Sequence, residues 1–278
     1  MKFTVLGSGG SEGVPSLFCT CASCEHARRN PESPDYRRCT SYLIDDDTLI
    51  DFGPDLREQM RLFHVDYAKI RRVLNTHCHG DHLNLELIGR RGSPKFALNP
   101  PVLDFYGDDM PQRCVGGEKG GGFAYASMRS CPIHPGERLT TPDGSMEIFA
   151  VRADHDPGTT PLNYILTRGG RSLLIANDTG WWSDETWEMI RQCGYKLDAA
   201  IIDCYGAVRN PDLAKSHMGL HVYLKFRARL IEYELMTEQT PNFATHFEHH
   251  SVCPHEELLK VMTPLHVTPC YDGLIFEF

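Results

Sequence analysis

The sequence predicts an α/β fold in which two sheets pack together with helices on their outer faces. Three observations predict it. Strand patterns dominate the start of each half of the chain and helical patterns its end, the strands read as short apolar runs bounded by turn signals, and no linker divides the 278 residues. We read one domain over 1–278, with 41% hydrophobic and 23% charged residues, ordinary globular composition.

In chain order, 2–6 reads as a strand, and SYLIDDDTLIDFG as a hairpin that turns at 45–47. A helix is expected over 55–63. Ile70, Val73 and Leu74 mark a buried strand, and LNLELI after residue 82 starts a helix, so NTHCHGDHLN falls on a strand-to-helix loop. Residues 99–142, with GGEKGGG at their centre, read as a Gly/Pro-rich insertion without regular structure, a lid or a disordered loop. A strand over 146–151 follows, then two strands around Gly169 and Gly170. Residues 181–193 read as helix and 198–203 as a buried strand. Ser216 is expected to cap a helix running to 232. NFATH is a short strand, 254–261 a helix and GLIFEF a closing strand. No internal repeat of fixed period stands out. LGSGGSEG is no dinucleotide fingerprint, since Glu12 stands where a glycine is needed and no helix pattern follows; its glycines let the backbone turn tightly.

The net charge of −9 argues against long nucleic acid as a partner. No window is apolar enough for a membrane span and no export signal is apparent, so a cytoplasmic protein without a membrane partner is expected. Eleven cysteines in such a chain suit metal binding better than disulfides. In an extended loop His77 and His79 point the same way and can share one ion, while Asp81 and His82 begin the next turn and face a second. Cys19, Cys21 and Cys24, in a loop over 18–26, with His249 near the end of the chain, make a closed set for one structural zinc; three free thiols are the bland alternative. His217 in SHMGLH would donate a proton to a leaving alkoxide, or with His221 simply cap and pack a helix.

THCHGDH resembles the HxHxDH signature of the metallo-β-lactamase superfamily, which implies an αββα sandwich with two mixed sheets and two metals at one edge. The resemblance implies that His155 completes the first metal position, that Asp178 bridges the two and that His246 completes the second. With LGSGGSEGVP, CTCASC, NDTG, IIDC, SHMGL, ATHFEH and a terminal YDG, the whole chain resembles PhnP-like phosphodiesterases, accessory proteins of bacterial carbon-phosphorus lyase systems.

That likeness implies two active-site Mn or Zn ions, a structural zinc on the cysteines and His249, and His217 as general acid, with Asp81 counted beside it as catalytic. The substrate it implies is a small cyclic or linear phosphodiester of ribose or a nucleotide, cut by metal-bound hydroxide; a homodimer is compatible. The residual positive charge of two divalent ions after two aspartates and a hydroxide would draw such an anion. An RNA 3′-processing nuclease would want a basic arm that the chain lacks, a non-catalytic metal-binding scaffold would not need Asp178, and a β-lactamase uses a different ligand pattern. The Gly-rich insertion departs from the family, and loops over a site set substrate choice.

Overall fold

Runs such as SLLIA and AAIID are apolar at every position because both faces of their strands are covered. The computed structural model describes residues 1–117 and 121–278. Its first sheet takes β1 (Lys2–Gly7), β2 (Ser41–Ile44), β3 (Thr48–Ile50), β4 (Arg72–Leu74), β5 (Leu103–Gly107) and β6 (Met128–Pro132) in that order. The second takes β7 (Arg138–Thr140), β8 (Glu147–Arg152), β9 (Leu162–Arg168), β10 (Arg171–Ala176), β11 (Ala199–Asp203), β12 (Asn242–Thr245) and β13 (Thr268–Pro269). The last strand, β14 (Ile275–Glu277), returns to the first sheet beside β1.

Each sheet is mixed, and the two follow the same rule. From β14 to β3, and from β7 to β10, neighbours are antiparallel; from β3 to β6, and from β10 to β13, they are parallel. The repeat that the sequence does not display is thus present in the strand pairing.

Alternation along a strand sorts side chains between layers. On β10, Leu173 and Ile175 join the core between the sheets, with Phe3, Tyr42, Tyr164 and Ile201, while Leu174 and Ala176 face outward. The outer face of the first sheet is covered by α2 (Leu56–Phe63), α3 (Leu85–Arg90) and α4 (Asp109–Gly116), that of the second by α5 (Asp184–Gln192), α6 (Leu220–Glu232) and α7 (His255–Met262). A further short helix, α1 (Ala22–Arg29), carries Cys24 and buries Ala27 against the second outer core, so the stretch 18–26 expected as a loop is helical from Ala22 onward. This is the αββα sandwich of the metallo-β-lactamase fold.

Two expectations are corrected. Residues 99–142 hold β5, α4, β6 and β7 rather than an irregular excursion, although 118–120 at the centre of GGEKGGG lie outside the described residues. Pro111 hid α4, yet it sits in the first turn, where the missing N–H costs nothing. Ser216 does not cap α6: the N-cap is Gly219, and Ser216 adopts a left-handed φ of 61° and donates its hydroxyl to the His155 carbonyl at 3.1 Å. The expected turns hold, with positive φ at Asp45 and Asp46 and at Gly169 and Gly170.

Behind β1 lies a buried cation. Arg37, 1% exposed, donates to Ser8 Oγ (2.9 Å) and to the Cys270 carbonyl (2.6 Å), and its guanidinium meets His255 Nδ1 at 3.3 Å. Burial first, then the Arg37 charge against a smaller pull from Asp35, lowers the pKa of His255 to about 4. Its folded pKa lies below the usual 6.5, so the group leaves stability untouched above pH 6.5 and lowers it as pH falls toward 4, where the unfolded chain takes up a proton that the folded chain refuses. Urea unfolding of the protein and of His255→Asn between pH 7 and 4.5 is expected to show a steeper acid loss in the parent; parallel curves would refute the assignment.

Candidate metal centres

Every side chain of the HxHxDH cluster hangs from the same edge of the sandwich. The chain leaves β4 at Leu74 and passes through 75–84 before Asn84 caps α3 by accepting from the Leu87 amide at 3.0 Å. His155 follows β8, Asp178 follows β10, Asp203 ends β11 and His246 follows β12. Three of the polar residues at this edge pay for their direction with left-handed backbone: Asp51 (φ 64°), Asp178 (φ 48°) and His246 (φ 63°). Non-glycine residues are held there only where the surroundings dictate it, and such strain gathers at functional sites.

The structure brings the proposed ligands into two groups. One nitrogen each of His77, His79 and His155 lies within 4.8 Å of the others, and so do ligand atoms of Asp81, His82, Asp178 and His246. Asp178 stands between them: its Oδ2 is 3.1 Å from His82 Nε2 and 3.8 Å from both His77 Nε2 and His155 Nε2, and its Oδ1 is 3.1 Å from His246 Nδ1. Asp81 Oδ2 lies 2.8 Å from His82 Nε2.

Hydrogen bonds behind the ligands fix which nitrogen is free. His82 Nδ1 is 2.6 Å from Asp51 Oδ2, and His155 Nδ1 is 2.9 Å from the Ser216 carbonyl, so each turns Nε2 toward the cluster with its lone pair. His77 Nε2 and His82 Nε2 are buried with no hydrogen-bond partner among the described residues. His155 Nε2 and His79 Nδ1 approach to 3.1 Å, close enough for one ion to take both. Burial, and next the His82 charge, lowers the pKa of His77, and burial lowers that of His246, which in both favours the form with a lone pair to offer. Burial works to raise Asp178, but His246 and His82 outweigh it and hold the carboxylate ionised. At His82 burial is overcome by Asp178, Asp81 and Asp51, which raise its pKa and mark the spot where positive charge is wanted. Imidazoles and carboxylates converging in this way are donors that suit divalent metals.

His217 sits at the rim in the loop before α6, not on the helix, which removes the reading that it packs a helical face with His221. Its Nδ1 is 2.9 Å from Asp203 Oδ2, and a ring nitrogen lies within 4.8 Å of ligand atoms of His155 and Asp178. Asp203 is fully buried and also accepts from the Tyr205 and Met218 amides. Burial opposes a charge on His217, and Asp203 outweighs it, raising the pKa. Tyr205 stacks on the imidazole at 4.2 Å, 15° from parallel. The sequence reading assigned no role to Asp51, Asp203 or Tyr205; a polar residue ending an apolar strand, in LID and IID, was the available signal.

Cys19, Cys21, Cys24 and His249 form a separate group with ligand atoms within 4.8 Å. His249 Nδ1 is 3.3 Å from Cys24 Sγ and 3.7 Å from Cys21 Sγ, and amides of Ser16 and Cys21 donate to the sulfurs of Cys24 and Cys19. Burial would raise the Cys21 thiol, but the Cys24 amide and His249 outweigh it and bring it to about 6, while burial and the neighbouring Cys21 push Cys24 up to about 12, so the first thiolate offered to zinc is that of Cys21. α1 begins at once after Cys21 and is tied by Ser23 Oγ to the Val252 carbonyl (2.9 Å), so the cluster staples the start of the chain to its far end. Cys21→Ser is expected to lower the melting temperature by several degrees while the folded fraction keeps its turnover. A fully stable variant without turnover would contradict a structural role.

Comparison with known proteins agrees with this fold. The beta-lactamase superfamily domain matches residues 46–236. Among curated proteins, coenzyme PQQ synthesis protein B of Methylobacterium radiotolerans is 31% identical over 105 residues, 34% of this chain and 35% of that protein. Octanoyltransferase of Porphyromonas gingivalis is 40% identical over 87 residues, 30% of this chain. That match spans 16% of the octanoyltransferase, so both relatives are covered over well under two thirds of their own length.

Among solved structures, a diphosphatase from the PhnP family superposes with a TM-score of 0.74 at 26% identity, covering 100% of this chain and 96% of that one. Zinc-bound PqqB from Methylobacterium extorquens reaches 0.76 at 16% identity with both chains fully covered. The human short-form tRNase Z reaches 0.64 at 16%, covering 100% and 99%.

Proposed function

Because this chain belongs to the beta-lactamase superfamily and gathers His, Asp and Cys side chains that could hold metal, we propose that it is a dinuclear metal-dependent phosphodiesterase acting on small cyclic or linear esters. The observation that carries this reading is Asp178, whose carboxylate stands between the three-histidine group and the Asp81, His82 and His246 group, with His217 at the rim of both. Two Mn or Zn ions held there would polarise the phosphoryl oxygens and bring a water near neutrality in pKa.

The chain's own residues do the rest. Asp51 and the Ser216 carbonyl keep the His82 and His155 rings in place, so the site needs little reorganisation. His217 holds a proton on the nitrogen away from Asp203 and delivers it to the departing alkoxide, after which Asp203 stabilises its return. An RNA-processing role is disfavoured by the net charge of −9, since phosphate contacts along a long strand need a basic surface.

The full-length likeness to a diphosphatase favours a phosphoanhydride as a second substrate class. Turnover of bis-p-nitrophenyl phosphate, a ribose cyclic phosphate, a dinucleoside diphosphate, a tRNA precursor and nitrocefin tests the proposal. Hydrolysis confined to the first two supports it, selective cleavage of the diphosphate would move the activity to anhydrides, and turnover of the tRNA or nitrocefin alone would overturn it.

A further inference from the structure

The proton transfer assigned to His217 needs the imidazole held in one plane, and Asp203 alone does not hold it there. The χ2 torsion of a histidine is broad, and the hydrogen bond between Nδ1 and Asp203 Oδ2, 2.9 Å, fixes one atom of the ring while the other nitrogen can still swing. Three rings lie against this imidazole. His155 meets it edge to face at 4.8 Å, and His246 lies 5.2 Å away and 17° from parallel; both belong to the metal-ligand groups. The third, Tyr205, is closer than either, 4.2 Å between centroids and 15° from parallel, and is in neither ligand group.

Tyr205 is itself firmly seated. Its amide donates to Asp203 Oδ1 at 3.1 Å, so the carboxylate that anchors His217 through one oxygen anchors the stacking residue through the other. Its carbonyl accepts from the Glu248 amide at 3.2 Å, just beyond His246. One edge of the ring rests on Gly10, where a Cβ would stand 2.8 Å from Cε2 and 3.3 Å from Cδ2, closer than carbon atoms pack. The Gly10 amide donates in turn to the Phe247 carbonyl at 3.0 Å. Glycine at this point of the LGSGGSEG turn is therefore what admits the ring.

We infer that Tyr205 is a positioning residue, whose ring clamps the His217 imidazole in the plane that aims its outer nitrogen at the departing oxygen. The inference rests on the phosphodiesterase reading above and adds a part to its machinery. The stacked face does this and not the hydroxyl, so phenylalanine serves in its place and leucine does not.

The test follows kcat and KM of the zinc-loaded protein on a ribose cyclic phosphate and on bis-p-nitrophenyl phosphate, with proton NMR of the His217 ring beside them. Tyr205→Leu is expected to lower kcat on the cyclic ester by roughly ten- to a hundredfold with KM little changed, the cost of a misaimed acid, and to slow the nitrophenyl diester far less. Tyr205→Phe is expected to restore the rate on the cyclic ester. In a His217→Ala background Tyr205→Leu should cost nothing further, because no acid is left to aim. Stacking shifts the His217 ring protons upfield, and that shift should persist in Tyr205→Phe and vanish in Tyr205→Leu. Equal losses on the two esters, a further loss in the His217→Ala background, a Tyr205→Phe variant as impaired as Tyr205→Leu, or His217 signals that Tyr205→Leu leaves unmoved overturns the inference alone. A parent that cleaves neither ester overturns the phosphodiesterase reading, and the inference with it.

Discussion

Asp178→Ala is expected to lower phosphodiester turnover by roughly three orders of magnitude or more, because one carboxylate serves both ligand groups and its loss disorders both at once. Metal analysis should show the His/Asp ions depleted and the cysteine-bound zinc kept. The variant should remain folded, since removing Asp178 thins a crowded set of buried charges, although alanine keeps the left-handed φ of 48° that aspartate tolerates better. His221→Ala, at an exposed residue paired with Asp212, is the control. Full activity in Asp178→Ala would mean that the two groups do not work as a pair.

The second large effect concerns His217. A sugar alkoxide is a poor leaving group, so His217→Ala is expected to slow hydrolysis of a ribose or nucleotide cyclic phosphate by roughly two to four orders of magnitude. Nitrophenolate leaves without a proton, and bis-p-nitrophenyl phosphate should be spared most of that loss. Asp203→Asn should reproduce the pattern more weakly, as Asp203 orients and charges the imidazole without touching substrate. Equal losses on both esters, or loss of metal, would reassign His217 to orienting the site or holding phosphate.

The clusters were legible because ligand spacing within a loop survives in sequence: His77, His79, Asp81 and His82 lie on one strand-to-helix turn. Their remote partners were legible only through resemblance, since nothing local distinguishes His155, Asp178 or His246 from other polar residues at strand ends. Supporting groups were less visible still. Asp51 sits 31 residues from the imidazole it holds, and Asp203 is 14 from His217.

Errors in the fold have specific causes. β6 buries little beyond Met128, and β7 is three residues long, so neither shows the alternation that marks a strand. The Ser216 misassignment followed from a sound capping rule applied where a serine is bent instead to hold His155. The shared pairing order of the two sheets is invisible in sequence because backbone hydrogen bonds, not side-chain identity, define it.

The central claim is that a hydrolytic pair of metal ions and a separate cysteine-held zinc occupy one chain, and elemental analysis before and after mild chelation, with turnover measured on the same samples, tests it most directly. The account predicts about three metal ions per chain at first and about one zinc after chelation, with turnover lost and then restored by added Mn or Zn. Turnover that survives with one zinc left, or release of all the metal together from a protein that stays folded, would contradict it.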